Sequence, residues 1–124
     1  MEHIAVNGKT YGFAVNFKYN DSIRNSFNSL TRKIYGFDFE EWYKNGYWKD
    51  RYIPYALLYG NDVIANVSVN IIDYLLMEEK MRYIQIGTVM VDKEYRNKGL
   101  SRFLMEKVIE EWREMYRWTI LLRQ

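Results

Sequence analysis

A chain of 124 residues with 48% hydrophobic and 27% charged side chains has the balance of one soluble core and is too apolar and aromatic for a disordered segment. A formal charge of +2, with Lys and Arg interspersed among Asp and Glu, argues against the basic stripe of a nucleic-acid-tracking protein. Zero cysteines and a single histidine, His3, exclude disulfides, a thiolate nucleophile and a histidine metal cluster.

No apolar run approaches the ~20 residues of a membrane span, and residues 1–20 lack a signal-peptide layout. One cytoplasmic domain over residues 1–124, with no membrane or nucleic-acid partner, is therefore expected. In chain order, Ile4 and Val6 precede Asn7-Gly8, and Tyr11, Phe13, Val15 and Phe17 follow it in extended alternation; Asn-Gly between such runs predicts a hairpin. Asn20-Asp21-Ser22 offers capping oxygens to a helix whose apolar face is Ile23, Phe27, Leu30 and Ile34, stopped by Gly36. Asp38 and Glu41 read as a capping-box pair opening a second, short helix that Gly46 ends. Trp42, Tyr43, Tyr47 and Trp48 cluster there, either lining a cleft or packing the surface.

From Tyr52 the period changes to two. Residues 55–59 read as a strand and Gly60-Asn61-Asp62 as a turn; Val63, Ala65, Val67, Val69 and Ile71 then alternate with Asn66, Ser68 and Asn70, which predicts a hairpin with one buried face. Asn66-Val67-Ser68 matches a glycosylation sequon but falls inside that strand, so it is set aside. Residues 83–91 form a third strand, interrupted at Gly87, where a bulge or a close ligand approach fits. After a polar connector, Leu100, Phe103, Leu104, Val108, Trp112 and Met115 make an apolar stripe opposite Arg102, Glu106, Glu110 and Arg113, the strongest helix in the chain. Residues 119–122 read as a last strand.

The junction between third strand and long helix carries the chemistry. Val89-Met90-Val91 closes the strand, and Arg96-Asn97-Lys98-Gly99-Leu100-Ser101 opens the helix. Unpaired first-turn amides and the positive helix end attract an anion, Gly99 admits close backbone approach, and Arg96, Lys98 and Arg102 add charge. The loop lacks both the G-x-x-x-x-G-K-[ST] spacing of a triphosphate cradle and the three glycines of a dinucleotide fingerprint. What remains, R-x-x-G-x-[G/A/S] between strand and helix, resembles the acetyl-CoA motif of the GNAT superfamily of N-acetyltransferases, and the order of elements over roughly residues 11–122 is similar to the superfamily's N-terminal and central parts.

The resemblance implies an α/β (α+β) fold with a mixed, mostly antiparallel central sheet and flanking helices. It also implies acetyl-CoA as co-substrate, an amine of a small molecule or peptide as acceptor, and no metal. The pantetheine arm would pair with the backbone of Val89, Met90 and Val91, and the amides of Arg96, Asn97, Lys98, Gly99, Leu100 and Ser101, with Arg102 beside them, would hold the pyrophosphate. A backbone N–H near Met90 or Val91 would meet the oxyanion. The general base is not identified: Gln85 cannot serve, and Glu41, Asp73 and Asp92 each have a structural reading beside the catalytic one, as helix cap, strand-end charge and turn residue. Family members usually continue past the strand matching residues 119–122 into a helix and two strands that carry an acid tyrosine. The chain is expected to be a C-terminally incomplete fold, which leaves open a CoA-binding module without turnover and a homo-oligomer that completes the sheet.

Overall fold

The computed structural model describes residues 1–115 and 120–122. Six strands form one sheet in the order β1 (Glu2–Val6), β2 (Lys9–Val15), β3 (Tyr52–Tyr59), β4 (Asp62–Leu76), β5 (Glu79–Val91) and β6 (Ile120–Leu122). Every neighbouring pair is antiparallel except β5 and β6, which run parallel. Helices α1 (Asp21–Tyr35) and α2 (Glu40–Lys44) follow β2, and α3 (Leu100–Met115) follows β5. The mixed, mostly antiparallel sheet with flanking helices is the architecture expected from the sequence.

Local chemistry explains each element. Asn7 and Gly8 both take positive φ, 51° and 84°, so the Asn-Gly pair closes the β1–β2 hairpin as a tight turn. Asn20 caps α1, its Oδ1 accepting from the Ile23 amide at 3.1 Å, and Gly36 ends it in the left-handed conformation, its N–H donating to the Arg32 carbonyl at 3.0 Å. Of the expected α1 stripe, Ile23, Phe27 and Leu30 are buried and Ile34 is partly buried. Along α3, Leu100, Leu104, Val108 and Trp112 are buried with Phe103 partly so. The side chain of Met115 and residue Thr119, which extended those readings, lie outside the described residues.

The α2 start differs from the capping-box reading. Asp38 accepts from the Glu40 amide at 3.0 Å and pairs with Arg32, while Glu41 is exposed and its side chain caps nothing. Glu40 carries the tertiary load instead: its Oε1 accepts from Arg24 Nε at 3.0 Å and Asn28 Nδ2 at 3.2 Å, and the Arg24 guanidinium sits 3.8 Å from the Tyr43 ring centre. Buried Arg24 thereby ties α2 to α1 with its donors satisfied, which is the condition for burying a charge.

The expectation of one buried face on β4 is also corrected. Residues 63–69 of β4 are all buried, because α1 covers one face of the sheet and α3 the other. Val67, Val69, Ile84, Ile86, Leu104 and Trp112 pack on the α3 side, and Phe27, Trp48, Tyr52, Leu58 and Met90 on the α1 side. Trp48 sits among Phe27, Phe39, Trp42 and Tyr52 with ring centres 5.4–6.3 Å apart, so this aromatic cluster is largely core, although Tyr47 remains exposed. Asn66 and Ser68, read from their alternation as facing outward, are fully buried on the α1 side.

Candidate active site at the end of the fifth strand

Strand β5 is irregular where it matters. Asn66 of β4 opposes Met90 while Ser68 opposes Gly87, so β5 carries one residue more than β4 across that step. Thr88 absorbs the extra residue with φ of 48°. A β-branched side chain in the left-handed region is strained by about 1–3 kcal/mol and persists only where its surroundings hold it. The bulge therefore falls next to the position at which Gly87 suggested one.

Three side chains hold it. Asn66 Nδ2 donates to the Thr88 carbonyl at 3.0 Å and to Ser68 Oγ at 2.9 Å, the Tyr52 hydroxyl donates to Thr88 Oγ1 at 3.0 Å, and the Tyr35 hydroxyl donates to the Val89 carbonyl at 2.9 Å. Burial pushes the Tyr52 hydroxyl up to about 12, so it is neutral and able to donate across the physiological range. Asn66 Oδ1 is buried and has no partner among the described residues, a mismatch costing roughly 1–3 kcal/mol that the two donations from the same amide offset.

Past the bulge, the described part of β6 pairs with residues 84–86 alone, and β5 continues to Val91. The chain then makes one 3₁₀ turn, Lys93–Tyr95, capped by Asp92, whose Oδ1 accepts from the Glu94 amide at 3.0 Å. Asp92 is fixed twice more, by Lys33 Nζ on Oδ2 at 2.9 Å and by its own amide donating to the Ile64 carbonyl at 2.7 Å. Lys33 and the Glu94 amide hold its carboxyl below the usual carboxylate range. Tyr95 packs against Tyr59 and anchors the turn to the sheet.

Arg96 is extended, and Asn97 and Gly99 then take φ of 63° and 76°. These two left-handed residues turn the backbone twice before α3 opens. Phe103 is the first α3 residue to donate backward, to the Gly99 carbonyl at 3.0 Å. Among the described residues, no carbonyl or side chain accepts from the amides of residues 96–102. The protein thus leaves these donors to solvent or a ligand. Asn7 reaches across from the β1–β2 turn and donates to the Lys98 carbonyl at 2.9 Å, fastening the loop without occupying its N–H face. A Cβ on Gly99 would lie 2.8 Å from Asn7 Nδ2, so the glycine is required by its φ and by this clasp.

A cleft of about 450 Å³ opens between these elements, lined by Ile34, Val89, Met90, Val91, Tyr95, Arg96, Asn97, Gly99, Leu100 and Ser101. Of the residues singled out in the sequence, Lys98 and Arg102 lie outside that lining, and Arg102 pairs with Glu106 at 2.9 Å. The carboxylates are dispersed. Glu41 lies exposed on α2, and Asp92 serves the loop. Asp73 sits five residues past Ser68, about 17 Å along β4, where its hydrogen bonds to Arg82 and then Arg51 depress it to about 2. Among the described residues, no group of His, Asp or Glu is placed to hold a metal, and no helix is long and apolar enough to cross a membrane.

Sequence reasoning missed Asn7, Tyr35, Tyr52, Asn66, Ser68 and Thr88 as parts of this site. The available signal was the polar Asn66 and Ser68 within an otherwise apolar run opposite a Gly-Thr pair.

The model of the acetyltransferase (GNAT) domain matches residues 17–122. The chain belongs to the GNAT acetyltransferase family. Solved structures share the GNAT fold at low sequence identity. An acetyltransferase from Trypanosoma brucei superposes with a TM-score of 0.73 at 15% identity, covering 92% of this chain and 82% of that one. Glucosamine-6-phosphate N-acetyltransferase from Arabidopsis thaliana gives 0.70 at 18%, with coverage of 94% and 83%. A predicted acetyltransferase from Clostridium acetobutylicum, solved with acetyl-CoA, gives 0.68 at 14%, with coverage of 92% and 80%. No curated protein matches the sequence.

Proposed function

We propose that this GNAT domain transfers an acetyl group from acetyl-CoA to a primary amine of a small molecule or peptide. The observation that carries the reading is the run of unclaimed amides over residues 96–102 at the positive end of α3, beside a cleft floored by residues 89–91. Phosphate groups are the anions for which such a cradle is suited.

Acetyl-CoA supplies the acyl group already activated as a thioester. The chain's own residues then have three tasks. Amides of the 96–102 loop, with Arg96 at the rim, bind the diphosphate. The β5 edge beyond residue 86 holds the donor's arm by main-chain pairing, which needs no particular side chain. A main-chain N–H at the bulge faces the carbonyl oxygen as negative charge develops, and the two reactants gain rate by being held together.

None of Glu41, Asp73 and Asp92 lies free in the cleft as a general base. Solvent supplies the simplest route for the ammonium proton, and an acceptor amine that enters unprotonated needs no buried carboxylate.

The test is acetyl-CoA-dependent release of free thiol, followed across a panel of amino sugars, polyamines, amino acids and short peptides. Turnover with at least one amine is expected. Thermal stabilisation by acetyl-CoA without thiol release from any acceptor would favour a binding module instead, and neither stabilisation nor release would remove the reading.

A further inference from the structure

A trans peptide is planar and points its C=O and the following N–H in opposite directions. This makes the contacts on the bulge informative about groups that carry no contact themselves. The Thr88 carbonyl is turned towards β4 and into the α1-side core by Asn66 Nδ2 at 3.0 Å. The N–H of the same peptide unit belongs to Val89, one of the residues lining the cleft, and it is therefore directed away from Asn66. Neither Thr88 nor Val89 has a register partner on β4, and the described part of β6 stops at the level of Ile86.

We propose that Asn66 is a positioning residue for acyl transfer: by gripping the Thr88 carbonyl, with Tyr52 bracing the Thr88 side chain, it fixes the Thr88–Val89 peptide so that the Val89 N–H is the donor facing the thioester oxygen. The proposal rests on the acetyl-transfer reading above. It names Val89 as the oxyanion donor, where the resemblance to the GNAT superfamily implied an N–H near Met90 or Val91.

Three features support the assignment. The peptide is held in a conformation that Thr88 does not adopt without help, given its φ of 48°. Asn66 is completely buried, which sets its rotamer by packing, and its amide also donates to Ser68 Oγ at 2.9 Å, so two acceptors define its plane. The next peptide is held independently, since the Tyr35 hydroxyl takes the Val89 carbonyl at 2.9 Å. An N–H fixed from both sides before the substrate arrives needs no reorganisation when charge develops, which is the condition under which such a donor is most effective.

Asn66→Leu removes both donations at nearly constant volume, and Tyr52→Phe removes the hydroxyl alone and keeps the aromatic packing, so it holds the test open should the first variant fold poorly. For each variant three quantities are measured: kcat on the best amine of the panel, the acetyl-CoA dissociation constant by calorimetry, and the Val89 amide resonance and its hydrogen exchange in the ligand-free protein. Asn66→Leu is expected to lower kcat about a hundredfold, the size of losing one oxyanion donor. Its acetyl-CoA affinity should stay within about threefold, since the loop amides that supply it are untouched, while the Val89 amide shifts and exchanges faster. Tyr52→Phe should lower kcat about tenfold with the same signature, the loss of one hydrogen bond.

An active wild type whose variants keep kcat, or lose affinity and kcat in equal measure, or leave the Val89 amide unmoved, overturns the positioning role alone. A wild type inactive on every amine overturns the acetyl-transfer reading, and the positioning role falls with it.

Discussion

The side-chain amide of Asn7 donates to the main-chain carbonyl of Lys98 across 2.9 Å of space and 91 residues of sequence. An Asn-Gly hairpin turn at the far edge of the sheet is thereby part of the loop at the mouth of α3. Because the clasp engages the Lys98 carbonyl, the N–H of the same peptide unit, that of Gly99, is directed the other way.

Removing the clasp should loosen the cradle without unfolding the domain. Asn7→Gly keeps the positive φ at little cost and deletes the amide. The loss of one hydrogen bond, about 1 kcal/mol, predicts acetyl-CoA affinity weakened roughly fivefold by calorimetry, with a melting temperature lowered by a few degrees at most.

Gly99→Ala meets two penalties, its φ of 76° and an approach of 2.8 Å to Asn7 Nδ2. Together they are expected to cost about 1–3 kcal/mol and to weaken acetyl-CoA binding at least tenfold. In the Asn7→Gly background the close approach disappears and the backbone strain remains. The double variant should therefore lose less than the sum of the two single losses in a double-mutant cycle.

The anchor of the loop sets a pH dependence. Lys33 and the Glu94 amide lower the Asp92 carboxyl, so its contribution is present above the unfolded value of ~3.9 and is lost as pH falls through the folded value. Lys33 is raised in turn, first by its hydrogen bond to Asp92; its share is present below ~10.4 and is lost as pH rises through the folded value. Stability from this pair is thus flat between about pH 5 and 9. With the Lys33 side chain 68% exposed, the pair is discounted to roughly 1 kcal/mol or less. Asp92→Asn should flatten the acid limb of a melting-temperature profile, and an unchanged acid limb would contradict the anchoring role.

Asp73 is held by Arg51 and Arg82 at the distal end of β4, and its carboxyl is depressed to about 2. Asp73→Asn is expected to leave kcat and the shape of the pH–rate profile unchanged within twofold. A fall in kcat with loss of the acidic limb, where a general base must give up its proton to act, would instead make it the general base.

How far the sequence could be read depended on how local the determinants are. The α1 stripe of Ile23, Phe27 and Leu30, the Asn20 cap, the Gly36 stop and the α3 face of Leu100, Leu104, Val108 and Trp112 follow from period and capping chemistry within a few residues of one another. The R-x-x-G loop was legible for the same reason. The clamp was not. Asn66 and Ser68 alternate with valines, which in a strand covered on one side means solvent, and only the packing of α1 against that face makes them buried. Their partners Thr88 and Tyr52 are brought to them by strand pairing and by a one-residue bulge, neither of which has a local periodic signature. Asn7 was legible as a turn residue, and its second role depends on the loop's place in three dimensions. Glu41 attracted attention because of its spacing from Asp38, yet Glu40 is the carboxylate that Arg24 and Asn28 engage.

The central claim concerns the free N–H groups of residues 96–102, and amide-resolved NMR during titration with coenzyme A tests it most directly. The account predicts saturable shifts concentrated on the amides of residues 96–102 and on the β5 residues 88–91, with pyrophosphate alone moving the first group and leaving the second in place. Binding that shifts amides elsewhere while leaving residues 96–102 unmoved would contradict it.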